Sequence, residues 1–456
     1  MSMWKTSFVL LCLLLAVAVL AQQPGGPIVI QGATVITASG RPTIRNAAIV
    51  IEGGRITAIG PRAEVKMPRG AQTINANGKW IIPGLIDAHV HITQSGGLYT
   101  RPDVVDLRKW RPYEKELEWI KQRLPFTFEH YLLSGITGIV DCGGPMWNFE
   151  MRDIASRTRN APRVAVAGPL IATYAPPTTS TSEPDVIKAN SPEHARELVR
   201  QQLEHKPDII KIWFIRRPGD DFQEQTRIVS AAIDESKKGG VRVAVHATEL
   251  QTAKAAVQAG ADILVHSVTD RLVDTDFIDL VTKRDVLYIT TLFVEDGYRS
   301  VLRQKVALSD IERKLGDPEV IATWAELAKI PPGEIPDGVP GIPDPPKRPV
   351  SFDNLMLMET AGVRIVAGTD AGNIGTLHGP SLHREFELME AAGMRPSEII
   401  ISATKNAAAV MGRENDLGTL EKGKLADLVI LDADPLVDIK NTRKIFKVMK
   451  GGEFVP

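Results

Sequence analysis

Two hydrophobic patterns alternate along the chain. From Ile28 to Ile82, short β-branched runs are separated by turns. Ile28-Val29-Ile30 is one run and Ala47-Ala48-Ile49-Val50-Ile51 another; Glu52-Gly53-Gly54 makes a turn, and Arg55-Ile56-Thr57-Ala58-Ile59-Gly60 returns the chain. Such spacing predicts a small all-β unit, too small to close a barrel by itself. Beyond Ile82 the pattern becomes strand, then amphipathic helix. Eight strands are predicted: Trp80 to Asp87, Gly138 to Asp141, Arg163 to Val166, Asp208 to Ile212, Val241 to His246, Asp262 to His266, Val286 to Thr291 and Arg364 to Thr369. Ser191-Pro192-Glu193 opens a helix that runs from His194 to about His205, and Pro396 opens another that reaches Ala409.

Short apolar strands alternating with helices read as βα units on a parallel sheet, and eight of them as an α/β fold, a (β/α)8 TIM-like barrel. After Met411 the β pattern returns, in Leu425 to Asp432 and Ile445 to Lys450. The simplest arrangement returns these strands to the N-terminal unit. The barrel (83–410) is then inserted into a small β-sandwich made from 22–82 and 411–456. Two segments exceed a tight βα connection: Thr93 to Leu124, and residues 295–350 with their proline-rich end, Pro331 to Pro346. Long insertions after strands lie over the active face, so both are candidate lids or specificity walls, with a surface loop or oligomer contact as the alternative for the proline-rich part.

The apolar run Phe8 to Leu20 follows Lys5 and leads to Val19-Leu20-Ala21. This reads as a secretory signal over 1–21, cleaved after Ala21, which makes the protein exported, periplasmic or extracellular. The run is short for a membrane span, so no stable membrane insertion is expected after cleavage, although a retained anchor is the alternative. Cys12 follows Leu11, where a lipoprotein signal needs a small residue; without Cys12, Cys142 has no partner for an intrachain disulfide. Apolar content of 43%, charged content of 24% and a net charge of −1 without basic runs describe a globular protein and point to neither a nucleic-acid partner nor an anionic membrane surface. A small-molecule substrate fits this balance, and a homo-oligomer is compatible with it.

The chemistry starts at Ile82-Pro83-Gly84-Leu85-Ile86-Asp87-Ala88-His89-Val90-His91. Alternate residues of an extended chain share a face, so His89 and His91 are expected to point the same way, and neutral imidazole is the commonest protein metal ligand. His-x-His alone does not decide between a metal and two exposed histidines. The downstream residues do. Barrel active sites assemble at the C-terminal ends of strands, where this chain places His89, His91, His246, His266 and Asp370, with Lys211 inside an apolar strand. Burying an unpartnered ammonium is costly, and an ammonium has donors only and ligates no cation. Carbon dioxide added to the neutral amine gives a carbamate, a carboxylate long enough to bridge two metals. Imidazoles suit zinc, and the mixed nitrogen/oxygen set admits manganese, cobalt or iron. Two such ions about 3.5–4 Å apart share a water and lower its pKa toward about 7.

These residues, with Pro83 to His91 and the tail Gly418-Thr419-Leu420-Glu421-Lys422-Gly423-Lys424-Leu425-Ala426-Asp427-Leu428-Val429, resemble the amidohydrolase superfamily, in particular its imidazolonepropionase/prolidase-like branch of binuclear metal hydrolases. The resemblance covers nearly all of the expected mature chain. It implies His89, His91 and Asp370 on a buried metal and His246 and His266 on a second. Carbamylated Lys211 and a hydroxide would bridge the two. It further implies that the hydroxide attacks an amide-type carbonyl, in a dipeptide, N-acyl amino acid or cyclic amide, while Asp370 takes its proton and passes it to the leaving nitrogen. A mononuclear deaminase or cyclic-amide hydrolase, a lactonase or phosphotriesterase, and a scaffold without metal are the alternatives. Asp87 is expected to be structural or to stand behind the ligands rather than to be catalytic.

One departure is visible. Many dipeptide-cleaving members carry Gly-Gly-His after the third strand; here the loop is Gly168-Pro169-Leu170-Ile171-Ala172-Thr173-Tyr174-Ala175-Pro176-Pro177. Tyr174 is the candidate replacement as oxyanion or carboxylate donor. Arg216 and Arg217 are candidates for a fork onto a substrate carboxylate, with a solvated loop as the preferred reading. His378 is placed either on substrate or in bracing its loop. His383, Glu385 and Glu387 are expected on a helix surface or behind the site.

Overall fold

A computed structural model describes residues 26–179, 182–331 and 346–456. The expected signal, the polar lead after it and most of the proline-rich stretch lie outside the described residues. Among the described residues no helix is long and apolar enough to cross a membrane.

The N-terminal unit contains β1 (Ile28–Val35), β2 (Ile44–Glu52), β3 (Arg55–Pro61), β4 (Gln72–Asn75) and β5 (Trp80–Pro83). The barrel contributes β6 (Leu85–Val90), β7 (Ile136–Asp141), β8 (Arg163–Val166), a short pair β9 (Leu170–Ala172) and β10 (Val186–Lys188), then β11 (Ile209–Trp213), β12 (Arg242–His246), β13 (Ile263–Val265), β14 (Leu287–Ile289) and β15 (Arg364–Val366). The chain closes with β16 (Leu428–Leu431), β17 (Ile445–Lys450) and β18 (Glu453–Phe454).

Both ends of the chain build one eight-stranded sheet, in the order β18-β17-β16-β5-β1-β2-β3, with β4 beside β1. The first half of β1 pairs with β4 and the second half with β5. Ile30, Ile49, Ile81, Leu428 and Met449 share one apolar core within it. The C-terminal strands therefore do return to the N-terminal unit, through β16 antiparallel to β5.

The predicted first barrel strand divides in two. Trp80–Pro83 belongs to the outer sheet, and the barrel begins at Leu85. Pro83 has no N–H for a ladder, and Gly84 donates its own to the Asp427 carbonyl at 2.9 Å. A Cβ on Gly84 would lie 2.1 Å from Thr137 Oγ1, so only glycine lets the chain cross between sheets here.

β6, β7 and β8 are parallel neighbours, as are β11 through β15. Asp208 N–H donates to Val166 O at 3.0 Å between β8 and β11, and Asp370 N–H to His89 O at 2.8 Å between the end of β15 and β6. The insertion after β6 is shorter than expected, because Tyr113–Leu133 is the first barrel helix. The Ser191 hydroxyl caps the helix Pro192–Leu203 by accepting from His194 N–H. The helix opened by Pro396 relaxes into one π turn over Ser402–Asn406 before reaching Val410.

Candidate metal centre

Alternation along the strands aims the site. In β11, Ile210 and Ile212 pack outward against helices while Ile209 faces the barrel interior, so Lys211 shares the inner face. In β12, Val243 and Val245 pack outward and Ala244 inward, which puts His246 inside as well. β13 has the opposite phase: Ile263 and Val265 face inward, and simple alternation would send His266 out. His266 instead adopts a left-handed conformation, φ 73°, which turns its ring toward the rest of the site. Asp370 does the same after β15, with φ 60°. Left-handed non-glycine residues carry backbone strain that surrounding contacts must hold. Beside His89, a Cβ on Gly368 would lie 2.9 Å from that residue's Cβ, so glycine allows β15 to approach β6.

The expected ligands meet. His89 Nε2 lies 3.2 Å from His91 Nε2, and Asp370 Oδ1 lies 3.3 and 3.1 Å from the same two nitrogens. Nitrogen or oxygen donor atoms of His89, His266 and Asp370 all fall within 4.8 Å of one another. The His266 ring stands 4.9 Å from that of His89 and 4.3 Å from that of His246, centre to centre. Other groups fix the rings. His91 Nδ1–H donates to the Gly143 carbonyl at 2.6 Å, which leaves Nε2 to face the site, and His266 Nδ1 lies 2.6 Å from Thr291 Oγ1.

Electrostatics favours lone-pair donors over protons. Burial, reinforced by the neighbouring cations, holds His89 and His246 well below the usual imidazole range and brings His266 down to about 3. Burial pushes the Asp370 carboxyl up, but the surrounding imidazoles outweigh it and hold that carboxyl well below the usual range. Asp370 Oδ1 is buried without a hydrogen-bond partner among the described residues. Lys211, 1% exposed, is also driven down by burial. Four histidine side chains, a bare carboxylate oxygen and a buried amine fit divalent cations far better than they fit one another.

Asp87 is structural, as expected: it accepts from Thr369 Oγ1 at 2.6 Å and Thr369 N–H at 3.0 Å, tying β6 to the end of β15. The three proposed substrate contacts lie elsewhere. Arg216 is committed to Glu249 at 3.1 Å and to Gln251 at 2.5 Å. Tyr174 stands near Trp213, with the Arg217 guanidinium over its ring, and is not among the residues that line the cleft around Lys211. His378 donates from Nε2 to the Gln94 carbonyl and accepts from the Tyr131 hydroxyl, both at 2.7 Å, so it braces its loop. His383 and Glu385 are buried rather than on a helix surface: His383 donates to Ser134 O at 3.0 Å, and Glu385 accepts from Thr290, Leu292 and Phe293. Glu387 pairs with Arg443.

A cleft opens over the cluster and is walled by residues the sequence pattern did not single out, including Arg101, Asp103, Asp185 and Trp213. Trp213 alone had a signal, two positions beyond Lys211 on the same strand face. Arg101 comes from the first insertion, and it forks onto Asp103 at 2.7 and 2.6 Å. Its remaining nitrogen reaches Asn373 Oδ1, which also accepts from Tyr298 OH of the second insertion. Asn373 Nδ2 in turn donates to the Asp370 carbonyl at 2.8 Å. Leu98, Val105, Leu107, Val301, Val320 and Trp324 give the two insertions a shared apolar core, and Trp324 Nε1–H donates to Gly96 O at 2.9 Å.

The amidohydrolase family model matches residues 80–455, most of the chain. The chain belongs to the amidohydrolase family. It is a metal-dependent hydrolase that acts on amide-type C–N bonds of small molecules. Imidazolonepropionase of Geobacillus kaustophilus is 23% identical to this amidohydrolase over 450 residues, 90% of each chain. Enamidase of Eubacterium barkeri is 21% identical over 397 residues, covering 86% of this chain and 82% of its own. Among solved structures, a Xaa-Pro dipeptidase with bound methionine superposes with a TM-score of 0.69 at 24% identity, covering 94% of this chain and 99% of that one. A putative prolidase from Bifidobacterium longum gives 0.69 at 25%, covering 94% of both.

Proposed function

We propose that this amidohydrolase is an exported, binuclear enzyme that cleaves a dipeptide, an N-acyl amino acid or a cyclic amide. The observation that carries the reading is the meeting of His89, His91, His266 and the unpartnered Asp370 oxygen on one rim with the buried Lys211 amine. His89, His91 and Asp370 would hold one divalent ion, and His246 and His266 the other. Lys211, as its carbamate, would serve both; the neutral amine adds carbon dioxide and releases one proton. Zinc suits the imidazoles, with manganese, cobalt or iron as further candidates. Bound ions supply Lewis acidity and ionise a water near neutral pH.

The chain's own residues do the rest. Asp370, kept ionised by the imidazoles around it, accepts the proton of the attacking water and delivers it to the leaving nitrogen. The fused insertions narrow access from solvent above the cleft. The relatives' names support an amide-type bond without choosing a substrate: imidazolonepropionase, enamidase and Xaa-Pro dipeptidase.

The test is metal stoichiometry by mass spectrometry on protein made with zinc or manganese and bicarbonate. About two ions per chain are expected for a site of this type, and Lys211→Ala should lose both metal and hydrolysis. One ion per chain would favour a mononuclear deaminase-like enzyme, and a Lys211→Ala enzyme retaining two ions and full activity would overturn the bridging role. Intact mass from the same sample reads export, since a cleaved chain begins at Gln22.

A further inference from the structure

We propose that the cleft selects an amide substrate that carries a cationic amine, and that Asp185 receives the amine. This rests on the hydrolase reading above and adds the substrate's charge to it.

Apart from the metal-centre residues, the charged side chains on the cleft wall are Arg101, Asp103 and Asp185. One guanidinium faces two carboxylates, so the wall carries one net negative charge. Arg101 is not free to receive a substrate carboxylate. Both arms of its fork are closed on Asp103, at 2.7 and 2.6 Å, and its third nitrogen is engaged by Asn373. Asp103 is satisfied by the same fork. Asp185 is different: its Oδ1 is buried and has no hydrogen-bond partner among the described residues.

The position of Asp185 is rigid. Its backbone carbonyl accepts from Leu170 N–H at 2.8 Å, and the next residue, Val186, begins β10 in register with Leu170 of β9. One oxygen of this half-buried carboxylate is thus held out of water without a donor, which is unfavourable until something donates to it. An ammonium or guanidinium makes a charge-assisted bond, about twice as strong as a neutral one. Trp213 lines the same cleft and offers an indole, the best aromatic partner for a cation. A substrate recognised by its carboxylate would meet Asp185 with repulsion and find Arg101 already taken.

The experiment uses the metal-loaded full-length enzyme and matched dipeptides. Nα-acetylated Ala-Lys is compared with equally acetylated Ala-norleucine and Ala-Glu for a cation in the leaving part, and free with Nα-acetylated Ala-Ala for a cation in the acyl part. In one of the two series, kcat/KM of the cationic member should exceed that of its neutral isostere by about 100-fold, the scale set by leaving one partner of a desolvated charge pair unmet. Asp185→Asn should bring that ratio toward one by slowing the cationic member at unchanged metal content, and Asp185→Lys should shift preference toward Ala-Glu. Equal rates for cationic and neutral members in both series, or a ratio that survives Asp185→Asn, would overturn the proposal. Hydrolysis of no member by two-metal protein would instead overturn the amide reading and take the charge assignment with it.

Discussion

Glu385 offers a perturbation whose size can be worked from the structure. It sits fully buried in the helix Ser381–Ala392 and accepts from Thr290 Oγ1 at 2.5 Å, Leu292 N–H at 2.9 Å and Phe293 N–H at 2.8 Å. Those donors flank Thr291, the left-handed residue whose hydroxyl meets His266. Glu385→Ala leaves three buried donors unmet, at about 1–3 kcal/mol each. A loss of roughly 3–9 kcal/mol is a large share of the 5–15 typical of a folded domain. Glu385→Gln keeps one acceptor oxygen and sets an amide N–H against a donor, for about 1–3 kcal/mol.

The same carboxyl makes a pH prediction. Burial raises it from 4.5 to about 7 in spite of the three donors. For a carboxyl raised on folding, the contribution to stability is complete below the unfolded value and is lost as pH rises through about 7. The full effect is about 3 kcal/mol at roughly 1.4 kcal/mol per pH unit. Glutamine does not titrate, so the stability advantage of the wild-type protein over Glu385→Gln should shrink between about pH 5 and pH 8. Urea unfolding of metal-free protein across that range measures it, and metal titration of the folded variants reads the effect on His266. A Glu385→Gln protein with wild-type midpoints and wild-type metal affinity would remove Glu385 from the support of the site. An advantage that grows with pH would show that the three donors, not burial, dominate.

Three further substitutions separate proton transfer from its positioning. Asp370→Asn should lower kcat by about 100- to 10,000-fold with a much smaller change in KM; unchanged turnover would remove it from the mechanism. Asn373→Ala frees Arg101 and Tyr298 and drops the donation to the Asp370 carbonyl, so kcat should fall about 10-fold with a displaced acid limb of the pH–rate profile. Tyr298→Phe should move both in the same direction by less, and unchanged profiles in both variants would show that the insertions do not position Asp370.

Much of the fold was legible because hydrophobic periodicity reports burial directly. Apolar strands separated by amphipathic helices required a parallel sheet, and the β patterns at the two ends had few partners but each other. The ligand candidates were legible for a related reason: polar residues that end apolar strands have few uses besides a shared site, and His89, His91, His246, His266, Lys211 and Asp370 all converge on one rim. The resemblance supplied their roles, which periodicity does not encode.

Tertiary structure decided the rest. Trp80–Pro83 and Leu85–Val90 have the same local preference for strand, and which sheet each joins depends on partners hundreds of residues away, at Asp427 and Leu428–Leu431. The phase of β13 would turn His266 away; only packing that holds a left-handed backbone brings it in. Arg216 and His378 looked available because Glu249, Gln251, Tyr131 and Gln94, which occupy them, are not their sequence neighbours. Arg101, Asp185 and Asn373 lie in connections without a periodic pattern and Tyr298 in a short helix of the second insertion, so their places around the metal centre follow from how the two insertions and the β9–β10 pair fold over the barrel. Local sequence set which residues are buried in strands, and long-range contacts set which of the remaining polar groups are left without a partner, and those are the groups left for a substrate.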